Sequence, residues 1–294
     1  MKSLVYFLLT GFVRLVSLLP FRILYSISDI LFWMLWYLIP YRKSVVKDNL
    51  RNAFPEKSEI EINRLARKFY RHFCDVIVEG IKLMTVSYEE IAQRIRFEDE
   101  EMLSRLHSKG IHLMLLMGHY GNWEWLASLS GGTVPYQFMT IYKTLENKYI
   151  DRLMTNLRSR FGTEAVPMQR AFRNVQTRIE QQQISLMCFI ADQNPDGHSI
   201  RHWLPFMGRE VPVLAGAETI ARKFNLGVAF LHNEKISRGH YLVHLELLTE
   251  QAAEMPAGQL TEVYFRKLES EIRACPENWL WTHRRWKHKK PANL

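Results

Sequence analysis

The chain has 294 residues, 47% hydrophobic and 23% charged, which suits one large domain with or without appendages and excludes a largely disordered polypeptide. Its net charge of +9 admits nucleic acid, anionic lipid or an acidic protein as partners without choosing among them. Cys74, Cys188 and Cys275 are far apart and in no C-x-x-C spacing, which argues against a disulfide framework or a cysteine zinc site and fits a reducing compartment.

Residues 4–20, LVYFLLTGFVRLVSLLP, contain one charge, Arg14, and lie at the short end of the roughly 17–25 residues a membrane span needs. A second apolar stretch, 21–40, carries Arg22 and Asp29 and is dense in Phe32, Trp33, Trp36 and Tyr37, rings suited to a membrane–water boundary. A basic segment, 41–54, follows. No small-residue cleavage site ends the first run, so it does not read as a cleaved signal peptide. A charge inside each stretch fits an interfacial or hairpin anchor, with a pair of buried core helices as the alternative. The expected division is a membrane anchor at 1–40 and a catalytic domain at 41–294.

A helix end is expected at Pro55, followed by a new helix opened by a Ser58-x-x-Glu61 capping box. Ile62, Leu65, Phe69, Phe73, Ile77 and Ile81 then recur at helical spacing. From about residue 94 the rhythm changes. Short apolar runs at 111–117, 137–142, 184–192, 226–232 and 241–248 read as strands, with helical patterns at 99–109, 122–130, 146–161, 171–182, 215–224 and 259–274. Strands alternating with helices predict an α/β fold, a mixed central sheet flanked by helices, with its site at the carboxyl ends of strands.

His119 and Asp192 both sit just past such ends. In His119-Tyr-Gly-Asn-Trp-Glu124 the histidine lies in a tight turn. Gly121 permits an unusual backbone angle, Asn122 is a candidate N-cap, and Glu124 falls in the first helical turn. A histidine can deprotonate a hydroxyl near neutral pH, and a carboxylate on its other nitrogen fixes the tautomer. The spacing lets Glu124 fold back toward His119, and the helix start offers N–H groups to a developing oxyanion. Composition alone predicts roughly one such spacing by chance, and His119–Glu124 is the only one here. No G-x-S-x-G, H-E-x-x-H or Walker loop competes. A direct transfer needs only a base and an oxyanion stabiliser, so no cofactor is called for. No metal is expected either, since His283 and His288 lack a third ligand at useful spacing.

Other residues carry two readings each. Asp192 and Gln193 are polar contacts in an acceptor pocket, or helix caps after a strand. Arg170 holds a phosphate or the thioester side of a donor, or is a solvated helix start. In 281–290, WTHRRWKHKK, Arg284 and Arg285 dock phosphates or an acidic protein, or are solvated beside packed Trp279, Trp281 and Trp286. No nucleic-acid module is present, so nucleic acid is not an expected partner.

Several stretches in order resemble the lipid A biosynthesis acyltransferases, the lauroyl/myristoyl group of the glycerolipid acyltransferase superfamily. They are the N-terminal anchor, NLRNAFPE (49–56), GHYGNWE (118–124), the segment 141–162, ADQNP (191–195), 204–222 and PENWLWTHRRWK (276–287). The resemblance covers nearly the whole chain. It implies transfer of an acyl chain from an acyl carrier protein thioester to a hydroxyl of a lipid A precursor, in lipopolysaccharide biosynthesis, at the cytoplasmic face of the bacterial inner membrane, against anionic lipid. It also implies His119 as general base with Glu124 as its orienting carboxylate, and it favours Asp192 and Gln193 as substrate contacts; Asn122, Lys143, Arg170, Arg284 and Arg285 complete the expected substrate contacts from the reading of the residues themselves. A lysophospholipid, aminolipid or other membrane glycolipid is the alternative acceptor. The chain departs from the family in having Tyr142-Lys143 where Tyr-Arg is usual: Lys keeps the charge but loses the bidentate fork.

Overall fold

The computed structural model of the chain describes residues 2–132, 135–195, 200 and 202–291. It opens with α1 (Lys2–Ser17) and α2 (Phe21–Trp33), and α2 runs on as a π-helical turn, Met34–Leu38. Phe21, Leu24, Ser28 and Phe32 recur at helical spacing and are buried, while Ile23, Ile30, Trp33 and Tyr37 face outward. Among the described residues, Phe21–Leu38 is the one helical stretch long and apolar enough to cross a membrane. Next come α3 (Lys43–Ala53) and α4 (Glu59–Lys82). The first ends two residues before Pro55, because proline disfavours helical geometry in the residue ahead of it. The second begins with the expected capping box: Ser58 Oγ accepts from the Glu61 N–H, and the Glu61 carboxylate accepts from the Ser58 N–H at 2.9 Å.

The remaining helices are α5 (Tyr88–Ala92), α6 (Glu100–Ser108), α7 (Lys148–Arg158), α8 (Ala171–Glu180), α9 (Gly216–Lys223) and α10 (Gln259–Ala274). The strands are β1 (Ile95–Phe97), β2 (Leu113–Met117), β3 (Gln137–Tyr142), β4 (Glu164–Pro167), β5 (Ser185–Ile190), β6 (His202–Phe206), β7 (Arg209–Val213), β8 (Gly227–Ser237) and β9 (His240–Thr249). Seven form a mixed sheet in the order β1-β9-β8-β2-β5-β3-β4, parallel throughout except for the β8–β9 hairpin. β6 and β7 pair separately. The five apolar runs all emerge as strands. The four strands the pattern misses are at most five residues long, and the β6–β7 ribbon contains Pro205 and Pro212, which read as breaks. The expected helix at 122–130 is instead a 3₁₀ turn, Trp125–Gly131, because Asn122 and its neighbours are consumed by the turn that precedes it.

All five residues of β2 are buried, as befits a parallel strand covered on both faces. Met114 and Leu116 join a core with Phe69, Tyr264, Phe265 and Leu268, whereas Leu113, Leu115 and Met117 join one on the opposite face with Leu103, Leu106 and Trp125. The four neighbouring parallel strands β2, β5, β3 and β4 all end at one edge. His119, Asp192, Lys143 and Arg170 follow those ends in turn.

Candidate active site

The turn after β2 is pinned on every side. Gly121 has φ of +59°, and a Cβ there would lie 2.6 Å from the Asn233 carbonyl oxygen, so only glycine fits. Leu280 N–H donates to His119 O at 3.0 Å, and Gly121 N–H donates to Asn278 O at 3.0 Å. Asn233 Nδ2 donates to Tyr120 O at 3.2 Å, and His72 Nε2 to Gly121 O at 3.2 Å.

His119 projects from this turn to the end of β5. Its Nδ1 lies 2.6 Å from Asp192 Oδ1, while its backbone N–H donates to Asp192 Oδ2 at 2.9 Å. The Trp279 indole N–H donates to the same Oδ2 at 2.8 Å. With Nδ1 donating to the carboxylate, Nε2 keeps its lone pair, and the Gln193 amide donates to it at 3.3 Å. Burial alone would raise the Asp192 carboxyl; attraction to His119 and the hydrogen bonds from His119 and Trp279 outweigh burial and hold it at about 2. The imidazole is 20% exposed and the carboxylate 2%, so the pair joins a buried carboxylate to a partly exposed ring. The Trp123 ring stands edge-on to the imidazole, centroids 5.4 Å apart.

Glu124 does not take the place expected of it. Its carboxylate accepts two hydrogen bonds from Arg158 on α7, Nη2 at 2.8 Å and Nε at 3.1 Å. Two features of the fold explain this. β2 and β5 are adjacent and parallel, so Asp192 arrives beside His119 from the neighbouring strand, and Glu124 meets a permanently charged guanidinium whose planar fork matches a carboxylate. Asn122 is wholly buried, with Oδ1 accepting from Trp125 N–H at 3.1 Å and Nδ2 donating to Glu79 at 2.7 Å, so both ends of its amide are engaged in shaping the turn.

Arg285 is likewise inside the protein, 0% exposed, with Nη1 donating to Pro212 O at 3.0 Å and to Asn194, and its guanidinium over the rings of Phe206 and Phe265. Arg284 is exposed, and its carbonyl accepts from Asn194 Nδ2 at 2.7 Å. His283 Nε2 accepts from Asn194 N–H at 3.2 Å, and burial pushes this ring down to about 4. The 281–285 segment therefore braces the loop that carries Asp192 and Gln193. Lys143 and Arg170 stay exposed beyond β3 and β4.

A narrow apolar crevice, too tight to admit a water molecule, lies beside the turn, lined chiefly by Phe69, Phe73, Val76, Trp123, Trp279 and Leu280. Arg158 and His72 go unremarked in the sequence, and Trp279 reads there only as a packed ring. Each acts across 34 residues or more, a distance at which no spacing rule applies. Among the described residues no group of three or more His, Cys, Asp or Glu side chains is placed to hold a metal ion.

The arrangement is a buried carboxylate, an oriented and partly exposed imidazole, and an apolar crevice beside the turn, at the carboxyl edge of a mixed sheet. No curated protein matches the chain. The profile of one family, described as bacterial lipid A biosynthesis acyltransferase, matches residues 1–288, and with that match over nearly its whole length the chain belongs to that family of acyltransferases.

Proposed function

We propose that this acyltransferase takes a fatty acyl chain from an acyl carrier protein thioester and places it on a hydroxyl of a lipid A precursor, with His119 as general base. The reading is carried by the 2.6 Å contact of His119 Nδ1 with Asp192, which leaves Nε2 as the basic atom. In this mechanism the thioester carbonyl meets the imidazole on its Nε2 side, where the Trp123 ring offers an apolar contact to the acyl chain. The acceptor hydroxyl displaces the Gln193 amide from Nε2. Its proton passes to Nε2 as the oxygen attacks the thioester carbon. Asp192 stabilises the imidazolium, which then returns the proton to the departing thiolate. A carbon–oxygen bond forms, a carbon–sulfur bond breaks, and no covalent enzyme intermediate is needed.

Glu124 supports the reaction through Arg158, a cation held beside the turn. Lys143, Arg170 and Arg284 are the exposed cations proposed to meet phosphates of the acceptor or the acidic carrier. The outward face of α2, with Ile23, Ile30, Trp33 and Tyr37, rests in the anionic cytoplasmic face of the inner membrane. Transfer of labelled acyl chain from carrier to lipid A precursor by wild type and His119→Ala tests the mechanism, and undiminished transfer by the variant sinks it. Lipid analysis of a deletion strain tests the acceptor: unchanged lipid A with altered phospholipids moves the assignment to another lipid.

A further inference from the structure

The apolar stretch that forms α2 carries an acid, Asp29, that the chemistry above does not use, and α4 carries two buried acids, Asp75 and Glu79. Glu79 is 0% exposed. Its carboxylate accepts three hydrogen bonds: from the Tyr25 hydroxyl of α2 at 2.9 Å, the Tyr241 hydroxyl of β9 at 2.8 Å, and Asn122 Nδ2 at 2.7 Å. The Glu79 carbonyl takes the Trp125 indole N–H at 2.9 Å. One turn earlier, Asp75 accepts from the Ser28 hydroxyl at 2.7 Å and from Arg238 at 2.7 Å, and the same Arg238 reaches Asp29 at 2.8 Å. Tyr25, Ser28 and Asp29 thus share one seam of α2, while Ile23, Ile30, Trp33 and Tyr37 point away from the protein.

Enclosing a carboxylate is costly unless donors fill its lone pairs, and well-packed apolar residues commonly hold helices together as well or better. What the three donors to Glu79 add is register. Asn122 is the residue at stake: its Oδ1 accepts from the Trp125 N–H at the start of the 3₁₀ turn, and its Nδ2 ends on Glu79, so the turn is located from both sides. The same carboxylate is shared with α2, whose outer face is apolar.

We propose that Glu79 is a positioning residue: it holds Asn122, and with it the His119 turn, in register with α2 through the Tyr25 and Tyr241 hydroxyls. Seating of α2 at a lipid surface and alignment of the base are then one mechanical unit. This assignment rests on His119 acting as the base in acyl transfer.

The test uses the full chain as wild type, Glu79→Gln, Tyr25→Phe and Tyr241→Phe. Each is measured for kcat and KM, thermal melting, and deuterium exchange of the peptide 119–126. An amide at position 79 keeps one acceptor where the carboxylate has two. Glu79→Gln is expected to lower kcat about tenfold to a hundredfold, as small misplacement of a base does, with KM within about twofold. Amides of 119–126 exchange faster in that variant at a temperature where it remains folded. Each Phe variant loses one hydrogen bond and about threefold to tenfold in kcat. Wild-type kcat per folded molecule together with unchanged exchange, in Glu79→Gln or in both Phe variants, overturns the proposal however far the melting temperature falls. If Glu79→Gln does not fold, the two Phe variants decide. Faster exchange in the variants of a protein whose wild type transfers no acyl chain upholds the positioning role and instead defeats the acyl-transfer reading.

Discussion

Asp192 lies 73 residues from His119 and touches its ring at 2.6 Å, whereas Glu124, in the same short motif as the histidine, turns to Arg158. Both are acids near the carboxyl edge of the sheet. Asp192 is buried against the imidazole, the His119 backbone and the Trp279 indole, and three donors hold it ionised. Glu124 stands opposite a full positive charge, and Arg158 supplies both of its side-chain hydrogen bonds. A carboxylate's role at such a site follows from what the strand order sets opposite it, and closeness along the chain is a poor guide.

The largest expected effect separates the two acids directly. Asp192→Asn should lower kcat about a thousandfold to ten-thousandfold, as removing the orienting carboxylate of an imidazole base does elsewhere, with the fold intact by circular dichroism. Glu124→Gln should act mainly on stability, by about 3 kcal/mol, because it strands a largely enclosed guanidinium, and should change kcat per folded molecule by less than about tenfold. Urea denaturation beside steady-state kinetics measures both. If the kcat losses came out in the reverse order, Glu124 would be the histidine's partner in the working enzyme.

The far side of the same turn sharpens the comparison through pH. Burial, with the Lys235 charge beside it, holds folded His72 at about 3, while the unfolded ring titrates near 6.5. Between those values the unfolded chain binds more protons, so stability falls as pH drops through that window, by about 1.4 kcal/mol per pH unit from this group. His283, held at about 4 by burial, adds to the slope in the same direction above that pH. Denaturation across the window should show the slope reduced by about one proton's share in His72→Gln, and an unchanged slope would mean that His72 is protonated in the folded protein. The smallest effect belongs to Gln193→Ala. Loss of the single amide contact to Nε2 should alter kcat/KM about threefold to tenfold, measurable with saturating donor and varied acceptor.

Much of this fold is legible in the residues. Strands β2, β3, β5, β8 and β9 announce themselves as apolar runs, and Ser58 with Glu61 marks the start of α4 without ambiguity. The short edge strands β1 and β4 do not, since three or four residues carry too little pattern. Of the site, His119 is visible as a histidine past a buried strand, and Asp192 and Gln193 as polar residues past another. Arg284 and Arg285 look alike in the sequence, yet one is exposed and the other is enclosed between two phenylalanine rings.

By itself, then, the sequence determines the α/β alternation, the amphipathic α2, the glycine-bearing turn around His119 and membership in an acyltransferase family. These follow from hydrophobic period, turn chemistry and ordered motifs, all properties of neighbouring residues. Only the tertiary structure decides that Asp192 holds the imidazole, that Glu124 belongs to Arg158, and that Glu79 joins α2 to the turn. Those pairings depend on which strands lie side by side and which helix covers them, and the spacing of residues along the chain carries no record of that.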